Sequence, residues 1–195
     1  MLALEQDAEG EAVAECETPI DGQPEARFAL CWTGAKSPRV VDAGRPADYE
    51  SMNAAYHEAG HCAAMLVFND PIALATTDGD GGEVTRPLDR RYSLNDRAGR
   101  IRAIEFIVTC LAGPEAERRI REPPPEVYAT DRAMTVALAR RLCAGDWRET
   151  RAFVEDLEAI ARELVTAYWT EIERIATALS IKGALTGDEI RRLLE

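Results

Sequence analysis

The chain contains two histidines, and both fall in one pentapeptide, His57-Glu58-Ala59-Gly60-His61, within a run of good helix formers from Ser51 to Phe68. Residues four apart on a helix share a face, with Cβ atoms about 5–6 Å from one another, so both imidazoles can reach a single ion. Zinc suits neutral imidazole nitrogen, and a catalytic zinc site takes three protein ligands and keeps one position for water. Glu58 follows His57 by one residue, about 100° around the helix. It flanks the ion instead of binding it, where a general base for that water belongs. Zinc brings the pKa of its water toward about 7, within reach of a carboxylate base.

Two histidines placed at random in this length would show this spacing, with Glu after the first, on the order of 0.1% of the time. Ordinary surface histidines are therefore a poor explanation. Gly60 points the same way, because a mid-helix glycine costs about 1 kcal/mol relative to alanine. Something should approach α-helical backbone closely there, a neighbouring helix included.

A third ligand must be a carboxylate or a thiolate, since no histidine remains. Cys62 adjoins His61 but points about 100° away. Glu117 and Asp131 are the candidates, and an Asp at a helix start also serves simply to cap backbone N–H groups. The residues alone leave the two open.

Charge narrows the partners. With 23 Lys and Arg against 35 Asp and Glu, the formal net charge is −12, which repels a phosphate backbone and argues against nucleic acid. The six arginines between Arg86 and Arg102 are interleaved with Asp89 and Asp96, as expected for a solvated face or a contact for an acidic peptide. No run of apolar residues is long enough for a membrane span, and the opening MLALEQDAEGEAVAE does not read as a secretory signal. The five cysteines, Cys16, Cys31, Cys62, Cys110 and Cys143, form no C-x-x-C pair. Buried thiols in a reducing cytoplasm are the expectation.

Patterning predicts an α+β, mainly α-helical fold with a small β-hairpin or sheet. Residues 1–49 read as an acidic arm with little periodicity, one short strand at 27–32 and a loop at 34–46. After the histidine helix, Asn69-Asp70-Pro71 is a stop. Strands at 72–76 and 83–85 then flank the turn-forming Asp78-Gly79-Asp80-Gly81-Gly82. That acidic turn lacks the remaining oxygen ligands of a calcium loop. A helix over 94–112 should bury Ile101, Ile104, Val108 and Leu111. Gly113-Pro114 should break it and open a short helix carrying Glu115 and Glu117, ended by Pro123-Pro124-Pro125. A helix from Asp131 to Cys143 closes at Gly145. One long helix over 149–181 carries an apolar stripe of Phe153, Leu157, Ile160, Leu164, Tyr168, Ile172, Ile175 and Leu179. Gly183 suits its end, and Thr186-Gly187-Asp188-Glu189 is a capping box for a last helix into Leu194.

Ala54-Ala55-Tyr56-His57-Glu58-Ala59-Gly60-His61 closely resembles the zinc-binding helix of the FtsH-type ATP-dependent metalloproteases, and the likeness continues in order. The hairpin at 72–86 looks like that family's strand pair. Leu111-Ala112-Gly113-Pro114-Glu115-Ala116-Glu117 is similar to its Leu-Gly/Ala-Gly-Arg-Ala-Ala-Glu segment, with Pro114 departing from the family's Arg. The run Thr130 to Arg140 looks like the helix whose Asp supplies the third zinc ligand, and the ending from Trp169 to Leu194 resembles the peptidase domain's last helices. The resemblance covers residues 50–195 as an FtsH-like HExxH zinc-peptidase domain. It implies Zn2+ held by His57, His61 and Asp131, with Asp131 ahead of Glu117 and Glu58 as catalytic base. It also implies that an extended substrate pairs with the strand near 83–85.

No G-x-x-x-x-G-K-[ST] phosphate loop and no membrane anchor accompany the region. The expected function is hydrolysis of peptide bonds in unfolded proteins or peptides, in the cytoplasm, with substrate supplied within a homo-oligomer or by a separate ATPase partner. The competing expectation is a catalytically silent peptidase-like module that binds a partner protein.

Overall fold

The structure is a computed structural model, and it describes residues 3–6, 12–15, 25–27, 49–77, 81–87, 91–121 and 129–195. Short strands β1 (Ala3–Gln6) and β2 (Ala12–Glu15) pair antiparallel in the arm, which thus holds regular structure where the sequence suggested little. Of the strand expected at 27–32, only Arg27 is described, at the end of β3 (Glu25–Arg27). The rest of that strand, the loop at 34–46, Cys16 and Cys31 lie outside the described residues.

Helix α1 (Tyr49–Val67) carries both histidines. Beyond it, β4 (Leu74–Thr77) and β5 (Gly82–Thr85) form the expected hairpin, with Thr77 opposite Gly82. Strand β6 (Arg91–Ser93) pairs with β3. Helix α2 (Arg97–Ile120) starts on Asp96, whose carboxylate accepts from the Gly99 N–H at 2.7 Å.

Contrary to expectation, α2 runs unbroken through Gly113 and Pro114. A proline clashes with the Cβ and N–H of the residue before it, and Gly113 has no Cβ, so one of these two clashes is absent. Burial of every residue from Phe106 to Glu117 holds the helix on course. The apolar face also differs from the one expected: Ile101 is 44% exposed, while Ala103, Phe106, Ile107 and Cys110 join Val108 and Leu111 inside.

Helix α3 (Ala129–Leu142) places Asp131 in its first turn. The long helix expected over 149–181 is two helices. Helix α4 (Trp147–Ala167) and helix α5 (Trp169–Lys182) meet at Tyr168, whose φ −107° and ψ 26° leave the helical region. The division follows from the partners, since α4 packs on α2 and α3 whereas α5 packs on α1 and β4. A single straight rod could not serve both. Accordingly Ile160 and Tyr168, predicted within the stripe, are 47% and 41% exposed.

Gly183 ends α5 at φ 73°, a left-handed conformation that glycine adopts without a Cβ penalty. Strand β7 (Ala184–Thr186) then adds to β4, giving the antiparallel order β5-β4-β7 with β5 at one edge. The capping box forms as expected at α6 (Gly187–Leu194): Thr186 Oγ1 accepts from the Glu189 N–H, and the Glu189 carboxylate accepts from the Thr186 N–H at 2.9 Å. The fold is mainly helical with a small antiparallel sheet. Among the described residues no helix is long and apolar enough to cross a membrane.

Arginines read as a solvated face are partly absorbed into the fold. Arg86 is nearly buried, donating to Asp70 at 2.6 Å and lying 5.0 Å over the Phe106 ring. Arg100 reaches the Leu142 carbonyl at 3.1 Å.

The tightest helix contact is α1 on α2. Ala55, Ala59 and Ala63 of α1 and Ala112 and Ala116 of α2 all belong to the buried core. A Cβ at Gly60 would stand 2.4 Å from the Ala112 carbonyl oxygen and 2.8 Å from the Ala116 Cβ. Close helix packing thus accounts for this glycine. Gly60→Ala is expected to destabilise the chain by about 1–3 kcal/mol, the range for overpacking a core. Urea unfolding followed by circular dichroism measures this, and an unchanged midpoint would show that the two helices can separate freely.

Candidate metal centre

Three elements converge on one point. α1 supplies His57 and His61, α2 passes behind them, and the first turn of α3 brings Asp131 across their front. The Nε2 atoms of His57 and His61 lie 3.0 Å and 3.6 Å from the same carboxylate oxygen, Asp131 Oδ2. Ligand atoms on a tetrahedral zinc with bonds near 2.0–2.1 Å stand about 3.3 Å apart, and the two distances bracket that value. His57, His61 and Asp131 each offer one ligand atom, all within 4.8 Å of one another.

The opposite nitrogens are also held. His61 Nδ1 donates to the Thr109 carbonyl oxygen at 2.7 Å, which turns Nε2 toward Asp131. His57 Nδ1 donates to Glu117 Oε2 at 3.2 Å. Acceptors on the far nitrogen orient a metal-bound imidazole and raise its basicity.

Glu117, carried forward from the sequence as an alternative third ligand, thus lies behind His57 and outside the group of three. Asp131 does not act merely as a cap; its carboxylate is turned onto the rings. Cys62 is buried, and burial, with the charge of Glu58, pushes its thiol well above the usual range. Cys110 and Cys143 are likewise free thiols.

Two glycines, neither singled out for this role from sequence, shape this centre. A Cβ on Gly113 would come within 2.5 Å of His61 Cε1 and 3.0 Å of His57 Cδ2, so bare α2 backbone forms the floor under both rings. A Cβ on Gly82 would meet Glu58 Cγ at 2.4 Å, so β5 presses on the stem of Glu58. The only local signal was glycine inside a helical or strand pattern, which marks close backbone approach in general without naming what approaches. The Thr109 carbonyl, a backbone group, left no signal at all.

The electrostatics are those of a site short of positive charge. Burial pulls the His57 pKa down, but the hydrogen bonds to Asp131 and Glu117 and the charge of Glu58 outweigh it and raise the group to about 10. Burial alone would raise Asp131, yet His61 and His57 hold its carboxyl well below the usual range. Glu58 is 5% exposed, and its pKa is raised by burial against the opposing pull of the two histidines. No protein-family model matches the chain, and no curated protein matches it.

The donor set fits zinc: two neutral imidazole nitrogens and one carboxylate oxygen, with each imidazole supported from behind. Two consequences are measurable. Asp131→Ala is expected to abolish stoichiometric zinc binding, while Glu117→Gln, which weakens the acceptor behind His57, lowers affinity about 10–100-fold. Competition with a chelating dye separates the two, and equal losses would return Glu117 to the ligand set. Because the metal-free His57 is protonated up to about pH 10, zinc uptake near pH 7.5 should release about one proton, and affinity should rise with pH. Titration calorimetry in buffers of differing ionisation enthalpy reads that proton directly; a heat independent of buffer would contradict it.

Proposed function

We propose that the chain is a zinc-dependent metallopeptidase that hydrolyses peptide bonds of unfolded proteins or peptides, as its resemblance to the FtsH-type peptidase domain implies. The observation that carries this reading is the convergence of His57 Nε2 and His61 Nε2 on Asp131 Oδ2, with Glu58 next to His57. A purely structural metal site has no need of Glu58, and burial raises that carboxyl above its ordinary pKa, the direction that favours a general base.

His57, His61 and Asp131 would hold the ion, and zinc bound there supplies a Lewis acid that acidifies water and polarises the scissile carbonyl. Glu117 and the Thr109 carbonyl keep the two rings in the ligating tautomer and orientation. The Glu58 carboxylate accepts a proton from the attacking water and returns it to the nitrogen of the leaving amine. An extended peptide would pair by its backbone with strand β5, which lies at the sheet edge and packs on Glu58 through Gly82. Such pairing gives affinity with little sequence preference, which suits a substrate defined by being unfolded. A chain of this kind takes loose polypeptide directly or from a separate unfolding partner.

Glu58→Gln keeps the shape of the side chain and removes its basicity. It is expected to lower cleavage of an unstructured casein-like protein by about a hundredfold or more while zinc content stays at one per chain. Sustained turnover in that variant would refute the mechanism, and an inactive but zinc-loaded wild type would favour a silent binding module.

A further inference from the structure

The strands β5, β4 and β7 read Gly-Glu-Val-Thr, Leu-Ala-Thr-Thr and Ala-Leu-Thr, so Glu83 is the one charged residue of that sheet. Its position is specific. The pairs Ala75–Val84 and Thr77–Gly82 turn toward the core, where Ala75, Thr77 and Val84 are buried. The pair Thr76–Glu83 turns to the opposite face, and both residues stay partly exposed. Among the described residues β5 has a strand on one side only.

Gly82 relates this edge to the metal centre. A Cβ there would meet Glu58 Cγ at 2.4 Å. In a peptide added antiparallel to β5, the residue opposite Gly82 therefore lies on the Glu58 side of the sheet. Directly paired side chains share a face and successive ones alternate. The next peptide residue accordingly stands opposite Glu83 on the outer face, with Cβ atoms about 4.5–5.5 Å apart. Glu83 is also within electrostatic reach of the candidate base. Burial is the main cause that raises the Glu58 carboxyl, and the charges of Asp131 and Glu83 add to it.

Other features are taken up by the fold itself. Tyr56 stacks on Trp169 at 5.5 Å, and the Arg119 guanidinium lies 4.5 Å from that indole. The small recess lined by Phe68, Asp70, Arg86 and Arg102 is filled with the ion pair of Asp70 and Arg86.

We propose that Glu83 is a specificity-determining residue that selects peptides carrying a lysine or arginine at the position paired with it, next to the residue that faces Glu58. This rests on the peptidase reading and names the substrates it favours, loose segments with a cation beside the cut. Backbone pairing reads no sequence, so a preference has to come from side chains along the edge. In a sheet with a single charge, charge is the property that can be read. An edge charge also deters pairing between copies of a strand, but either sign serves that purpose, whereas only a negative one selects cations.

The test uses the full zinc-loaded chain and a series of unstructured peptides that differ only in carrying Lys, Gln or Glu at one position, scanned along the peptide. At one fixed position near the cut, the wild type is expected to prefer Lys over Gln, and Gln over Glu, by about two- to fivefold each in kcat/KM. Raised salt should shrink that preference. Glu83→Gln should flatten it and Glu83→Arg should invert it. Each preference is a ratio within one variant, so a change in the amount of folded enzyme cancels. No preference in the wild type, or the same preference in Glu83→Arg, would overturn the proposal while leaving the peptidase reading intact. Should the wild type cut none of the peptides, the peptidase reading fails, and anisotropy of the same labelled series bound to the Glu58→Gln chain decides the Glu83 contact by itself. Absence of all peptide binding would sink both.

Discussion

The distance between α1 and α2 governs the rest of the site. Gly60 rests on the Ala112 carbonyl, and Gly113, one residue further along α2, rests on the edges of both imidazoles. No side chain intervenes at either point. A helix surface of alanine and glycine lets two backbones approach closely, and close approach is what allows a backbone carbonyl, that of Thr109, to serve as an imidazole's acceptor. Ring orientation is thereby fixed by main chain, which has far less freedom than any side chain. Sites held by locked supports of this sort keep the geometry that chemistry requires.

That packing also explains the charge arrangement. His57 lies between two carboxylates, Glu117 behind and Asp131 in front. Without a metal the ring is held as a cation by both. His61 and His57 in turn hold the Asp131 carboxyl well below the usual range. In the proposed zinc-bound state the ion would take the place of the proton at His57 Nε2, and Glu117 would keep the one at Nδ1.

Local features were legible from sequence and remote ones were not. The spacing of His57 and His61 is a property of a single helical turn, and so is the capping box of Thr186 and Glu189, so both were readable directly. Residue chemistry alone leaves Glu117 and Asp131 open, and the tertiary structure puts one behind a ring and the other before it. The resemblance to a known peptidase favoured Asp131 for reasons the residues themselves did not contain. Gly113-Pro114 reads as a break, yet the burial on both sides of it, a tertiary fact, carries the helix through. The division at Tyr168 escaped notice because hydrophobic periodicity continues across a joint when both halves are amphipathic. Which partner each half packs on is a tertiary fact, and it decided that Ile160 faces solvent.

Strand β5 lies at the end of its sheet, and a strand edge able to greet a stranger can equally greet its twin. Uncovered edges are where chains stick to copies of themselves. Here the edge spans four residues, opens on a glycine and carries the acidic Glu83. Among the described residues, so short a ladder offers few backbone hydrogen bonds to a second copy of the strand, and its brevity limits self-association there.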